Sequence, residues 1–257
     1  MLILVSEILV TGGTGVLGRL IVQQLREQGH EVRVLSRRTG AGTHNGDLTT
    51  GEGVAEALDG VRVVVHAATD ARKVGRPDLR QTQNLLGAAA SVEHIVYPSI
   101  VGIDRIPFRY YRNKLACEEL IERSGIPHTI ARATQFHELI ASALHTASRS
   151  PIAPLPLDFR FQSVAAVDVA HHVAALAQQG PVGRIADFGG PEVLTLEQML
   201  HIWHATHTRP RGLRLPVPGK IGRGFRAGDN TCPGQCDGVQ TWAKYVESKP
   251  QIEYTKS

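Results

Sequence analysis

Tyr110 and Lys114 stand four residues apart in the stretch RYYRNKLACEEL, residues 109–120. If this stretch is helical, positions i and i+4 share a face, so a phenol and an ammonium can serve one site. An unperturbed tyrosine, with a pKa of about 10, is a sluggish proton carrier at neutral pH. An ammonium beside it favours the phenolate and moves the group toward the range useful for general acid–base chemistry. Tyr111 also shares part of that face with Lys114 through i and i+3 spacing, and a surface Tyr/Lys pair with no chemistry is the plain alternative. Upstream, PSIVG offers Ser99, which either orients a carbonyl or simply ends a strand. The next position, Ile100, has no hydroxyl.

A second pattern bears on a ligand. TGGTGVLG carries Gly12, Gly15 and Gly18, with Thr14, Val16 and Leu17 between them, at the junction of an apolar strand and a helix. Glycines there permit a tight turn and let backbone N–H groups approach a pyrophosphate, while the helix amino terminus adds partial positive charge. The end of the next strand chooses between dinucleotides. A carboxylate would accept the ribose 2′-hydroxyl of NAD, but the chain has Ser36, Arg37 and Arg38. Two guanidinium groups suit a 2′-phosphate, so NADP(H) is the expected cofactor.

The elements that must position these residues alternate. EILVTGGTG reads as a strand and turn, VLGRLIVQQLREQG as a helix stopped at Gly29, and EVRVLSRR as a second strand. GEGVAEALDG, PDLRQTQNLLGAAA and RYYRNKLACEELIERSG read as helices, with VRVVVHAA, EHIVYPSI and PHTIARA as strands between and after them. This alternation predicts an α/β fold: a doubly wound parallel sheet, Rossmann-like, over residues 1–148. Residues 149–257 are expected to form a small mixed region on the substrate side. There SPIAPLPLDF reads as a proline-rich connection, and VDVAHHVAALAQQ and TLEQMLHIWHATH read as helices around RIADFGG.

Composition narrows the classes. With 257 residues, 42% of them apolar, the chain can bury a large core. No apolar run approaches the roughly 18 residues of a membrane span. The opening MLILVSEILV is broken by Ser6 and Glu7 and reads as a short extension into the first strand, so a cytoplasmic location is expected. Three cysteines fit a reducing compartment. Cys117 reads as a packing residue, and Cys232 and Cys236 in CPGQC lack further ligands at zinc spacing, so no metal is expected. His201, His204 and His207 recur every three residues, which drifts around a helix. Residues 209–228 hold six cations and no acid, and read as a solvated tail or as a patch for an anion or acidic partner. Nothing suggests a nucleic-acid platform, and a homo-oligomer stays open.

TGGTGVLG, the SRR strand end, HNGDL, VVHAA, QNLL and the YYRNK helix together resemble the short-chain dehydrogenase/reductase superfamily. Within it the chain is similar to the atypical NmrA-like branch, and RATQF, DVA and GGPE continue the likeness. The resemblance implies that Asp47 and Leu48 lie beside the adenine, that Ala67 and Ala68 line the cofactor, and that Ala133, Thr134, Gln135 and Phe136 sit near the nicotinamide. It selects Tyr110 over Tyr111. Tyr110 would protonate a carbonyl oxygen as hydride arrives, and Lys114 would also bond the cofactor ribose. His137, just after RATQF, is expected to face the substrate, with a satisfied, partly buried histidine as the plain alternative. The expected function is an NADPH-dependent reductase of a carbonyl, quinone or enone-like small molecule. The same resemblance allows a non-catalytic NADP(H)-sensing regulator working through a protein partner, which the missing hydroxyl at Ile100 favours, or an isomerase or epimerase.

Overall fold

Runs such as Ile8–Val10 and Val63–Val65 place branched apolar side chains on both faces of a strand. Such strands need cover on both sides, which a parallel sheet flanked by helices provides. The computed structural model describes residues 7–248 except 39 and 41. The apolar opening segment before Glu7 and the end of the chain lie outside the described residues.

The chain runs β1 (Glu7–Thr11), α1 (Val16–Glu27), β2 (Glu31–Ser36), β3 (Thr43–Asn45), α2 (Val54–Leu58), β4 (Val63–His66), α3 (Asp78–Ala88), β5 (His94–Ile100), α4 (Arg109–Arg123) and β6 (His128–Ala133). It continues through α5 (His137–Ala147), β7 (Ile152–Leu155), β8 (Arg160–Phe161), α6 (Ala166–Gln178), β9 (Gly183–Arg184), β10 (Leu194–Thr195), α7 (Leu196–Trp203), β11 (Arg211–Arg214), α8 (Gly219–Ala227) and α9 (Trp242–Ser248).

Close packing divides the chain into two units that interleave along it. The first takes in the described residues to Ser99, Arg109–Arg132 and Val169–Ala186. The second takes in Ile100–Phe108, Ala133–Asp168 and the described residues from Asp187. The sequence suggested one boundary after residue 148, whereas the chain passes between the units several times.

The first unit contains the seven-stranded sheet, in the order β3-β2-β1-β4-β5-β6-β9. β1 pairs in parallel with β2 on one side and β4 on the other, with Thr11 opposite both Leu35 and His66. The strand order therefore reverses direction at β1, and such a switch point opens a crevice at the carboxyl ends of the strands. Leu9, Leu35, Val64, Leu85 and Ile95 form a core in this unit. Tyr97, Cys117, Ile121 and Ile130 form a second cluster, so Cys117 is a packing residue.

The second unit is built around Leu144, Met199, Trp203, Trp242 and Tyr245. Two expectations are corrected here. The proline-rich stretch contains β7, which pairs in parallel with β11. Pro154 is tolerated because a strand in a two-stranded sheet has a free edge. The basic segment expected as a solvated tail folds into β11 and α8. Among the described residues no helix is long and apolar enough to cross a membrane.

Candidate functional site

Three of the four glycines in TGGTGVLG have different duties. Gly12 has φ +69°, and a Cβ there would stand 2.7 Å from the Ala68 backbone, so the turn presses on the loop after β4. At Gly18 a Cβ would stand 2.1 Å from the Gly12 carbonyl oxygen, which fixes how closely α1 packs on the turn. Gly15 is unlike both. Its φ of −79° suits any residue, and the nearest atom to an added Cβ is the Gly12 oxygen at 3.2 Å. The fold thus demands glycine at 12 and 18 but hardly at 15. What a side chain at 15 would fill is the exposed space at the amino end of α1, beside exposed Thr14 and Val16. No side chain caps that helix end and no acid lies in its first turn. Its unsatisfied N–H groups and positive dipole end fit a diphosphate.

A buried chain of hydrogen bonds ties this turn to α3. The Ala68 N–H donates to Thr11 Oγ1 (3.3 Å), which lies 2.7 Å from His66 Nδ1. His66 Nε2 lies 3.1 Å from Thr82 Oγ1, which donates to the Asp78 carbonyl (2.9 Å). Since Thr82 spends its hydrogen on Asp78, it accepts from His66, and the imidazole is the neutral Nε2–H form. Burial, with a smaller contribution from the Lys114 charge, pulls the His66 pKa down to about 3.

Beside the turn, β2 ends in Ser36, whose hydroxyl accepts from the Arg38 N–H at 3.0 Å. The Arg37 and Arg38 side chains are exposed. Asp47 closes a turn, accepting from the Thr49 N–H at 2.7 Å. Leu48 belongs to the core, and its carbonyl accepts from Asn84.

The Tyr110 and Lys114 side chains do share the carboxyl-end side of this unit, but they do not meet in the expected way. Lys114 is only 4% exposed. Its ammonium donates to the Pro98 carbonyl at 3.1 Å and sits 4.0 Å from the centre of the Tyr97 ring. Burial lowers its pKa. Tyr110, half-buried, instead has its hydroxyl 3.0 Å from Thr69 Oγ1. Its pKa is raised, first by burial and then by Asp78, with the Thr69 hydrogen bond opposing. The expectation that Lys114 depresses the Tyr110 pKa is therefore corrected. A common helix face brings the two stems together, but a flexible lysine goes to the carbonyl and ring that best hold its charge. Ser99, 6% exposed, has a buried hydroxyl that makes no hydrogen bond.

A family model described as NAD(P)H-binding matches residues 12–179 of the chain. The chain belongs to the NAD(P)H-binding family. Its sequence is 30% identical over 203 residues to a (4-alkanoyl-5-oxo-2,5-dihydrofuran-3-yl)methyl phosphate reductase of Streptomyces griseus, covering 74% of this chain and 70% of that protein. It is 33% identical over 150 residues to the photosystem II assembly factor Ycf39 of Cyanophora paradoxa, covering 51% of this chain and 46% of that one. The chain spans about half the length of the assembly factors it matches. An NADPH-dependent quinone oxidoreductase of Escherichia coli, solved with NADPH, shares the fold with a TM-score of 0.78 at 19% identity, over 94% of this chain and 99% of that one. The family model bears out the NAD(P)H-binding part of the sequence resemblance, and the likeness to the solved reductases shows the fold.

Within this NAD(P)H-binding protein, Ala133, Thr134, Gln135, Phe136 and His137 belong to the second unit. The Ala133 carbonyl accepts from Val101 and the Thr134 N–H donates to Phe188. The Gln135 side chain accepts from Asn230 at 3.0 Å, and Phe136 bridges to Val164. His137 is fully buried. One ring nitrogen is 2.8 Å from Ser163 Oγ and the other 2.9 Å from the Gln240 carbonyl, and its ring packs on Tyr245. With both nitrogens engaged and no exposed edge, His137 fastens this unit together, which corrects the expectation that it faces a substrate. Burial likewise pushes the Cys232 thiol up to about 12.

Two residues near the phenol escaped the sequence reading: Thr69 and Asp78. Asp78 looks like an ordinary acid at a helix start, a position that normally faces water. Here it is 2% exposed. The adjacent GRPD turn was the one available sign that the chain doubles back at this point.

Proposed function

We propose that this protein is an NADPH-dependent reductase of a small-molecule carbonyl, quinone or enone, with Tyr110 as the proton donor. One observation carries the reading. The segment Ala67–Thr69 abuts the glycine turn at Gly12 and, one residue later, meets the Tyr110 hydroxyl through Thr69. A diphosphate-binding turn and a proton-bearing phenol thus share a single loop. When bound, the nicotinamide supplies the hydride.

The chain's own residues bind, orient and move the proton. Gly15 and the amino end of α1 receive the diphosphate. Arg37 and Arg38 favour the 2′-phosphate, since each guanidinium offers a fork of donors and no carboxylate stands among residues 36–38. Tyr110, whose raised pKa keeps it protonated at neutral pH, gives its proton to the substrate oxygen. Ser99, whose orphaned hydroxyl calls for a reason, donates to the same oxygen. Lys114, held on the Pro98 carbonyl, is assigned to the cofactor ribose.

A second reading rests on Ile100, which stands where a second hydroxyl would help, and on relatives named as assembly factors rather than enzymes. In that reading the protein responds to NADP(H) and acts through a partner. The test is NADPH oxidation against a panel of quinones, ketones and enones, with Tyr110→Phe as the companion variant. Turnover that Tyr110→Phe abolishes supports the reductase. Tight NADPH binding with no acceptor reduced across the panel replaces it with the sensor.

A further inference from the structure

Two side-chain hydrogen bonds tie the loop from Thr69 to Asp78 to the amino end of α4, and others brace the loop internally. Thr69 Oγ1 donates to Asp78 Oδ2 at 2.6 Å and lies 3.0 Å from the Tyr110 hydroxyl. Asp78 Oδ1 accepts from the Asp70 N–H at 3.0 Å. Asn113, one turn along α4 from Tyr110, donates to the Val74 carbonyl at 2.8 Å. Val74 has φ +57°, a conformation that costs a β-branched residue free energy and persists only where its surroundings impose it. Gly75 follows, with φ +67°. A Cβ there would lie 3.0 Å from the Tyr110 ring and 3.2 Å from Asp78 Oδ2, so the bare glycine lets ring and carboxylate close on each other.

The hydrogen-bond inventory gives this arrangement a direction. A carboxylate only accepts, so Thr69 spends its single hydrogen on Asp78. Thr69 can then only accept from Tyr110. We infer that Asp78 and Thr69 are positioning residues for Tyr110: Asp78 fixes the Thr69 rotor, and Thr69 fixes the phenol hydrogen. At rest the phenol hydrogen points at Thr69 and an oxygen lone pair faces outward.

Delivery then takes two rotations and one transfer. The phenol O–H turns to the substrate oxygen and the proton crosses to it, breaking the Tyr110 O–H bond and forming a substrate O–H bond. Thr69 turns its own hydrogen from Asp78 to the phenolate left behind. Water at exposed Thr69 returns the proton. The inference rests on the reading of Tyr110 as proton donor. The titratable groups bearing on Tyr110 are Asp78 from α3 and Cys117 from its own helix, with Tyr97 facing it from β5.

Phenol titration tests this without any substrate. Near-ultraviolet absorbance is followed against pH in the full chain. Subtracting the Tyr110→Phe curve isolates Tyr110 from the other tyrosines. Thr69→Val removes the hydroxyl that turns to the phenolate, so the Tyr110 midpoint rises. Asp78→Asn removes the nearby negative charge, and its amide N–H donates to Thr69, which must then donate to Tyr110, so the midpoint falls. The asparagine oxygen still accepts from Asp70, so the loop keeps its inventory. Thr69→Ser keeps the hydroxyl and retains the original midpoint. Opposite shifts in Thr69→Val and Asp78→Asn, with rescue by Thr69→Ser, establish the arrangement. Midpoints that stay put, or move the same way in both, overturn it. Turnover is scored separately: an inactive wild-type protein with the expected shifts removes the reductase reading and leaves the positioning intact. An active protein with unmoved midpoints does the reverse.

Discussion

Gly15→Val separates the ligand from the fold, because the structure gives that glycine no packing duty. The new Cβ would meet only the Gly12 oxygen, at 3.2 Å, and the backbone already has φ −79° and ψ 176°, which a β-branched residue adopts freely. Replacing glycine by an aliphatic residue at a helix N-cap costs about 1 kcal/mol. For a protein of this size that lowers the melting temperature by about 2–4 °C. Binding suffers far more. If the side chain blocks two backbone N–H contacts to a diphosphate, each charge-assisted and worth about 1.5–3 kcal/mol, the loss is about 3–6 kcal/mol. At 1.4 kcal/mol per decade, NADPH affinity falls by about 10²–10⁴.

Gly18→Ala is the opposite case. Its Cβ would lie 2.1 Å from the Gly12 carbonyl oxygen, with backbone on both sides of the clash. Strain of about 1–3 kcal/mol or more then appears as lost stability even without ligand. Calorimetric titration with NADPH, paired with thermal unfolding of both variants, reads the two effects apart. If Gly15→Val binds NADPH within a few-fold of the parent protein while melting normally, the glycine turn is not the diphosphate site.

Arg37→Asp should weaken NADPH binding by about 10–100-fold, the size of one charge-assisted contact, and leave NADH nearly unchanged; equal parental affinities for the two nucleotides would remove the 2′-phosphate assignment. Tyr110→Phe should cut turnover by about 10²–10⁴ with little change in NADPH affinity by titration, whereas Lys114→Met should lower both. Because the Tyr110 pKa is raised, turnover should hold level through neutral pH and decline only above the ordinary tyrosine range, as a pH–rate profile will record. His66 should make the fold acid-sensitive: its pKa of about 3 against 6.5 unfolded means that stability is fully present above pH 6.5 and is lost as pH falls toward 3, at up to about 1.4 kcal/mol per pH unit. Denaturant unfolding across that window should show the slope reduced by about one proton in His66→Gln.

The sheet was legible because its strands are written twice over, in apolar runs and in the glycines that end them. Ile8–Val10 and Val63–Val65 admit few elements other than buried strands, and Gly29, at φ +86°, stops α1 where its pattern says it should. β3 was not legible: three residues, Thr43–Asn45, with a half-buried and exposed pattern, carry no periodicity to read. The second unit resisted for a related reason. Its short strands pair with partners far away in the chain, β8 with β10 and β7 with β11, and no local pattern announces a partner.

The same limit explains the phenol. Spacing along α4 correctly says that residues 110 and 114 share a face, but a face is a direction and not a neighbour. Lys114 and Tyr110 leave that face for different tertiary partners, one toward Pro98 and Tyr97 and the other toward Thr69. Those partners come from β5 and from the loop after β4. What decides the proton's direction is still more remote from pattern, since Asp78 sets it through a threonine nine residues before it. A carboxylate at a helix start that is turned inward leaves the same letters in the sequence as one that faces water. Only the burial of Asp78 and the hydrogen it takes from Thr69 distinguish them, and that difference is what the opposite midpoint shifts of Thr69→Val and Asp78→Asn measure.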